Sequence, residues 1–213
     1  VSNVTNMRGM FSYATSFNQD INDWDLSSLD RMDWMFHRAD SFNGDVSDWD
    51  VSNVYHFGAA FHRAGNFNGD VSGWDVSSAN YMGGMFYDAG NFNSDVSNWD
   101  VSNVTDLGSM FRETNFNHDI TGWDVSNVTQ MAQMFMRSPF NHDISNWDVS
   151  NVTASMKMMF YSADSFNGDI SSWDVSSVED MNSMFRGAAT FNQDISSWDV
   201  SSVYDMTDMF KHA

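Results

Sequence analysis

The sequence predicts an α/β solenoid: about eight coils of roughly 25 residues each, a short strand followed by a short helix, wound right-handed like a leucine-rich repeat. Three observations carry this expectation. Trp-Asp pairs recur at Trp24, Trp49, Trp74, Trp99, Trp123, Trp147, Trp173 and Trp198, with spacings of 24 to 26 residues. Each Trp-Asp-Val-Ser segment alternates apolar and polar side chains, as a half-buried strand does. Beyond it, apolar residues fall at helical spacing, as at Val178, Met181, Met184, Phe185 and Ala188.

In Trp173-Asp174-Val175-Ser176, tryptophan and valine share one face, and Asp174 and Ser176 share the other. The expected helix opens on a capping pattern, Ser177 or Asn103 followed three residues later by Asp180 or Asp106. It closes on cations. Arg38, Arg63, Arg112, Arg137, Arg186 and Lys211, six of the nine basic residues, lie where they would oppose the negative end of a helix dipole. Gly83 and Gly84 weaken the helix, so an all-β helix solenoid stands as the alternative. Length varies outside the Trp-Asp segment: units shorten before Phe116 and Phe140, and one lengthens between Val152 and Phe160. The whole chain, 1–213, reads as one repeat array. It begins and ends inside a repeat, so we expect a piece of a longer chain whose open ends favour self-association.

Composition removes several functions. With 29 acidic residues against 9 basic ones the formal net charge is −20. That excludes a phosphate-binding face and disfavours anionic lipid headgroups. Without cysteine there are no disulfides, zinc thiolates or cysteine nucleophiles. No apolar run approaches the length of a membrane span.

The repeated motif, Trp-Asp-Val-Ser-Asn-Val-Thr with Met-Phe and Phe-Asn-x-Asp, is almost intact from Phe92 to Phe111 and from Phe116 to Phe135. It resembles that of the BspA-like leucine-rich-repeat surface proteins, which include repetitive mycoplasma lipoproteins. The resemblance extends over the chain and implies an extracellular, non-enzymatic surface protein that binds host or neighbouring-cell components. It carries over no site residues. Only three leucines are present, a departure from the ordinary leucine-rich pattern.

Stacking turns each copied residue into a row. One acidic row comprises Asp25, Asp50, Asp75, Asp100, Asp124, Asp148, Asp174 and Asp199, with Ser52, Ser77, Ser102, Ser126, Ser150 and Ser176 beside it. Strand parity places this row outside, as the candidate binding face for a basic or polyhydroxylated extracellular protein or glycan. Coils stack about 4.8 Å apart, so neighbouring carboxylates repel unless hydroxyls, amides or cations offset the charge. Ca²⁺ is the candidate cation, and a calcium-loaded stalk the alternative function. A second row runs from Asp20 through Asp45, Asp70, Asp95, Asp119, Asp143 and Asp169 to Asp194, where Asx-turns account for the aspartates. Within it, Asp119 and Asp143 with His118 and His142 form a weak metal-ligand candidate, although repeat copying explains them as well. The Asn row (Asn18, Asn43, Asn68, Asn93, Asn117, Asn141, Asn167 and Asn192) suits buried backbone groups at a turn. Parity places the Trp row in the core rather than on a sugar-binding surface. Asn-Val-Thr sequons at Asn3, Asn103, Asn127 and Asn151 follow the repeat consensus. Trp34, Pro139 and Ser155-Met156-Lys157-Met158 depart from the repeat, and none assembles a nucleophile with a base and an orienting partner. The expectation is a non-enzymatic binding and spacing module.

Overall fold

The computed structural model describes residues 1–213. Its coils stack as a solenoid, but they are built from turns. No helix forms, and backbone pairing reduces to isolated parallel bridges such as Asn6 to Arg31, Arg31 to His56 and His56 to Tyr81. This corrects both the strand–helix leucine-rich-repeat coil and the all-strand alternative.

The coil spanning 42–66 shows the construction. Four-residue turns close from Val46 to Trp49, Val51 to Val54, Phe57 to Ala60, Ala59 to His62 and Phe61 to Ala64, with N–H···O distances of 2.9 to 3.2 Å. Ala59 (φ 54°) and Arg63 (φ 60°) occupy the third position of their turns, the signature of type II geometry. The amides between these turn bonds point to the next coil. Phe57 N–H donates to Tyr81 O at 2.9 Å, Ala59 to Gly83 at 3.0 Å, Phe61 to Met85 at 2.8 Å and Arg63 to Tyr87 at 2.7 Å. Alternate N–H groups thus serve the coil's own turns and its neighbour, which satisfies the buried backbone without a helix or a sheet. The positive-φ pair recurs from Gly9 and Tyr13 to Asp208 and His212.

This geometry explains why the apolar stripe looks helical. A four-residue turn places residues i and i+3 on the same side, so two consecutive turns reproduce the spacing of Met181, Met184, Phe185 and Ala188. All four are buried. The left-handed residues Ser183 and Gly187 interrupt any helix there. The basic residues consequently have no helix dipole to oppose. Arg38 lies over the Tyr13 ring, Arg63 and Arg112 over Tyr87, and Arg137 and Arg186 over Tyr161. Arg63 pairs with Asp88, Arg137 with Glu113, and both Arg186 and Lys211 with Asp208. The capping pattern also serves turns: Asp106 Oδ1 accepts from Gly108 N–H at 2.7 Å and Asp180 Oδ1 from Asn182 N–H at 2.8 Å.

One continuous core of phenylalanine, tryptophan, methionine and valine runs through the stack. Phe61, for example, stacks on Phe36, Phe67 and Phe86 at centroid distances of 5.3, 3.9 and 5.7 Å. Each core tryptophan points inward and donates from its indole to a carbonyl of the preceding coil, as Trp74 does to Val46 O at 2.9 Å and Trp99 to Val71 O at 3.0 Å. Asparagines form a ladder. Asn43 Oδ1 accepts from Asn68 N–H at 2.8 Å, Asn68 from Asn93 at 2.7 Å and Asn93 from Asn117 at 2.9 Å. Where a unit is one residue short, a buried hydroxyl bridges the gap. Thr114 Oγ1 donates to Phe111 O at 2.8 Å and accepts from Phe116 N–H at 3.3 Å; Ser138 similarly accepts from Phe140 N–H at 3.3 Å.

Candidate binding faces

The first face is acidic. Asp25, Asp50, Asp75, Asp100, Asp124, Asp148, Asp174 and Asp199 are all exposed, while the neighbouring Trp49, Val51, Trp74 and Val76 are buried. Each aspartate Oδ1 accepts from the N–H of the serine two residues on, at 3.0 to 3.1 Å from Ser27 to Ser201. The hydroxyls of Ser52, Ser77, Ser102, Ser150 and Ser176 donate to the same oxygens at 2.6 Å. These bonds favour the ionised form. They hold Asp25, Asp75, Asp124, Asp174 and Asp199 below the usual carboxylate range, so these five keep their charge in mild acid.

The second acidic row closes Asx-turns. Asp45 accepts from Ser47 N–H at 3.0 Å, Asp95 from Ser97 at 2.9 Å and Asp143 from Ser145 at 2.9 Å. Asp119 accepts from Thr121 N–H at 2.9 Å. His118 and His142 place Nε2 at 2.8 and 2.9 Å from the carbonyls of Asn93 and Asn117, which fixes Nε2 as the protonated nitrogen. No three histidine or acidic side chains converge into a ligand set.

The second face is the turn ladder, and it was not legible as a site in the copied residues. Its outward side chains differ from coil to coil: Arg31, His56, Tyr81, Asp106 and Gln130 occupy the bridge position in successive coils. Trp34 and Tyr81 are 41% and 36% exposed here, although the core tryptophans Trp49 to Trp173 are buried. Between these rings lies a cleft of about 330 Å³, and a second of about 260 Å³ continues it toward Arg8 and Arg31. At that end Asp33, only 2% exposed, pairs with Arg8 at 3.1 Å and Arg31 at 3.0 Å. Beside the cleft, His37 and His62 share a proton between their Nδ1 atoms at 2.7 Å. Burial, and then the facing His37 and nearby arginines, lower the His62 pKa to about 4.

A family described as "Mycoplasma protein of unknown function, DUF285" matches three overlapping stretches, residues 1–97, 46–139 and 105–213, which together span the chain. The chain belongs to this family. The match establishes a mycoplasma-type repeat; the leucine-rich-repeat assignment is replaced by the turn-built coil that defines this DUF285 array. No curated protein and no solved structure matches the chain. The signal for the second face was present in the sequence all the same. Aligning units on Trp-Asp exposes a column that reads Arg31, His56, Tyr81, Asp106 and Gln130, chemically varied while the next column stays apolar as Met32, Phe57, Met82, Leu107 and Met131.

Proposed function

We propose that this array is a non-enzymatic binding and spacing module displayed outside the cell, as in the BspA-like surface proteins it resembles, and that its acidic row engages a cationic partner. The observation that carries this reading is the row of eight exposed aspartates, each held by its own serine. Fixing Oδ1 leaves Oδ2 directed outward in one repeated geometry. The coils on this side are spaced by about 6 Å, as the stacked tryptophans beside the aspartates show at 6.1 to 6.5 Å, which presents these charges at even intervals to a chain bearing several cations. Because the field is summed over coils, affinity rises with the number of coils engaged and falls with salt.

The test uses a decalysine peptide as probe. Replacing Asp100, Asp124 and Asp148 together by lysine is expected to weaken binding at least tenfold with the melting temperature retained, and raised salt to weaken the unsubstituted chain. Unchanged affinity for the peptide would remove the acidic row from this role.

A further inference from the structure

We propose that the groove on the turn ladder is a second binding site, and that it takes a neutral oligosaccharide. This inference is independent of the acidic row, whose residues do not line the groove.

The groove is built where the repeat gives way. At the position where Trp34 stands, the other coils carry Gly9, Ala59, Gly84, Ser109, Gln133, Met158, Ser183 and Asp208, all sharing its left-handed backbone. None of these is aromatic, so a large exposed indole is the exception. Opposite it, Tyr81 lies flat on glycines. A Cβ at Gly58 would come within 2.6 Å of the Tyr81 ring, and one at Gly83 within 2.9 Å of its hydroxyl. Neither glycine has a positive φ, so close approach of the ring, rather than backbone conformation, requires them. The Tyr81 ring stacks on His56 at 4.7 Å and Trp34 meets His37 and His62 edge to face at 4.9 and 5.4 Å, so it is the exposed remainder of each ring that a flat ligand would meet.

The polar groups are of the kind that read hydroxyls. Asp106 Oδ1 and Gln130 Oε1 are occupied by the N–H groups of Gly108 and Ala132, at 2.7 and 2.8 Å. The Tyr81 hydroxyl, Asp106 Oδ2 and Gln130 Nε2 make no hydrogen bond within the chain, and all three residues line the same cleft. Burial raises the pKa of the Asp106 carboxyl, which moves it toward a neutral donor–acceptor. At the far end, Asp33 is neutralised by Arg8 and Arg31. In a chain of net charge −20 this groove sets only Asp33 and Asp106 against Arg8 and Arg31, a balance poorly suited to a cationic peptide. It is also too rich in polar groups for an apolar helix. Aromatic faces beside amide, hydroxyl and carboxyl groups match the alternating C–H and O–H surfaces of a sugar ring. From the coil of Trp34 to that of Gln130 is four coil steps, on the order of 20 Å, the span of a short oligosaccharide.

The test titrates the intact chain with cellotetraose, chitotetraose, mannotetraose and the anionic tetragalacturonate by calorimetry. Protection of tryptophan fluorescence from acrylamide is read in parallel. Trp34 is exposed and Trp24 half-buried while the others are buried, so a sugar in the groove reduces quenching. We expect saturable binding of at least one neutral tetrasaccharide, accompanied by that protection. Trp34→Ala/Tyr81→Ala is expected to weaken binding at least tenfold with melting unchanged. Gln130→Ala/Gln133→Ala, which leaves both rings in place, is expected to weaken it at least threefold and decides the matter if the first variant fails to fold. Absence of saturable binding to all three neutral sugars, binding of tetragalacturonate alone, or affinity that no folded variant alters would overturn the assignment.

Discussion

The loop from Phe92 to Val101 and the turn ladder from Asp106 to Glu113 belong to adjoining parts of one coil, yet they meet their neighbours by different means. In the loop, side chains bind the stack together: Asn93 Oδ1 accepts from the N–H of Asn117, and the Trp123 indole donates to Val96 O. In the turn ladder the backbone does so, with Leu107, Ser109, Phe111 and Glu113 donating to Gln130, Ala132, Met134 and Met136 at 2.8 to 3.0 Å. A loop that depends on side chains must repeat them. A ladder that depends on main-chain bonds leaves its outward side chains free to vary, and free variation is what a specific binding surface needs.

The largest effect that bears on this contrast is expected at a loop tryptophan. Trp99 is 3% exposed, stacks on Trp74 at 6.3 Å and donates to Val71 O. Trp99→Ala should therefore cost about 3–5 kcal/mol in chemical denaturation. A loss below about 1 kcal/mol would mean that side chains do not hold this side of the coil. Next comes Asn117→Ala, which takes the acceptor from the exposed Asn141 N–H and should cost about 0.5–1.5 kcal/mol. Asn117→Asp keeps an acceptor oxygen and should cost less; equal losses from the two substitutions would show that the ladder bond itself contributes little.

The smallest effect belongs to the turn ladder and appears through pH. His37, His56 and His62 all have lowered pKa values, with burial the first cause for each. For His37 and His62, Arg38 and Arg63 lower them further, and the two rings face each other. An imidazole in the unfolded chain takes up its proton near pH 6.5, whereas folded His62 resists until about pH 4. The stabilising difference is therefore complete above about pH 6.5 and is lost as the pH falls toward 4. The serine-bound aspartates act only below that window, because their folded pKa values lie under 3.8. Melting temperatures from pH 7.5 to 4.5 should fall less steeply in His62→Gln than in the unsubstituted chain. Parallel slopes would show that the imidazole is not shielded.

Much of the loop side was legible because copying fixes it. Two-residue alternation correctly set Trp74 and Val76 inward and Asp75 outward, and the Asn row does serve backbone N–H groups, although these lie at the surface rather than buried as expected. The turn ladder was misread for a physical reason. Steps of three and one are common to a helix and to paired four-residue turns, and only the sign of φ at residues such as Ser183 separates them. That sign is not written in the residue type here, since Trp34, Arg38 and Gln133 adopt it as readily as Gly84. The groove escaped for the opposite reason: it lies in what the units do not share. Trp34 was visible as an indole outside the register, but its neighbours across coils, Tyr81 and Asp106, became neighbours only once the bridges aligned them.

The direction of the inter-coil bonds has a consequence for growth. Along the turn ladder N–H groups point toward the following coil, as from Phe61 to Met85. Along the loop side donors point backward, as from Asn68 to Asn43 and from Trp74 to Val46. The two sets of dipoles run antiparallel, so adding coils does not accumulate a field along the axis as adding turns to an α-helix does. Such a rod can be lengthened by duplication without building up an axial dipole, and each newly copied unit inherits both its docking edges.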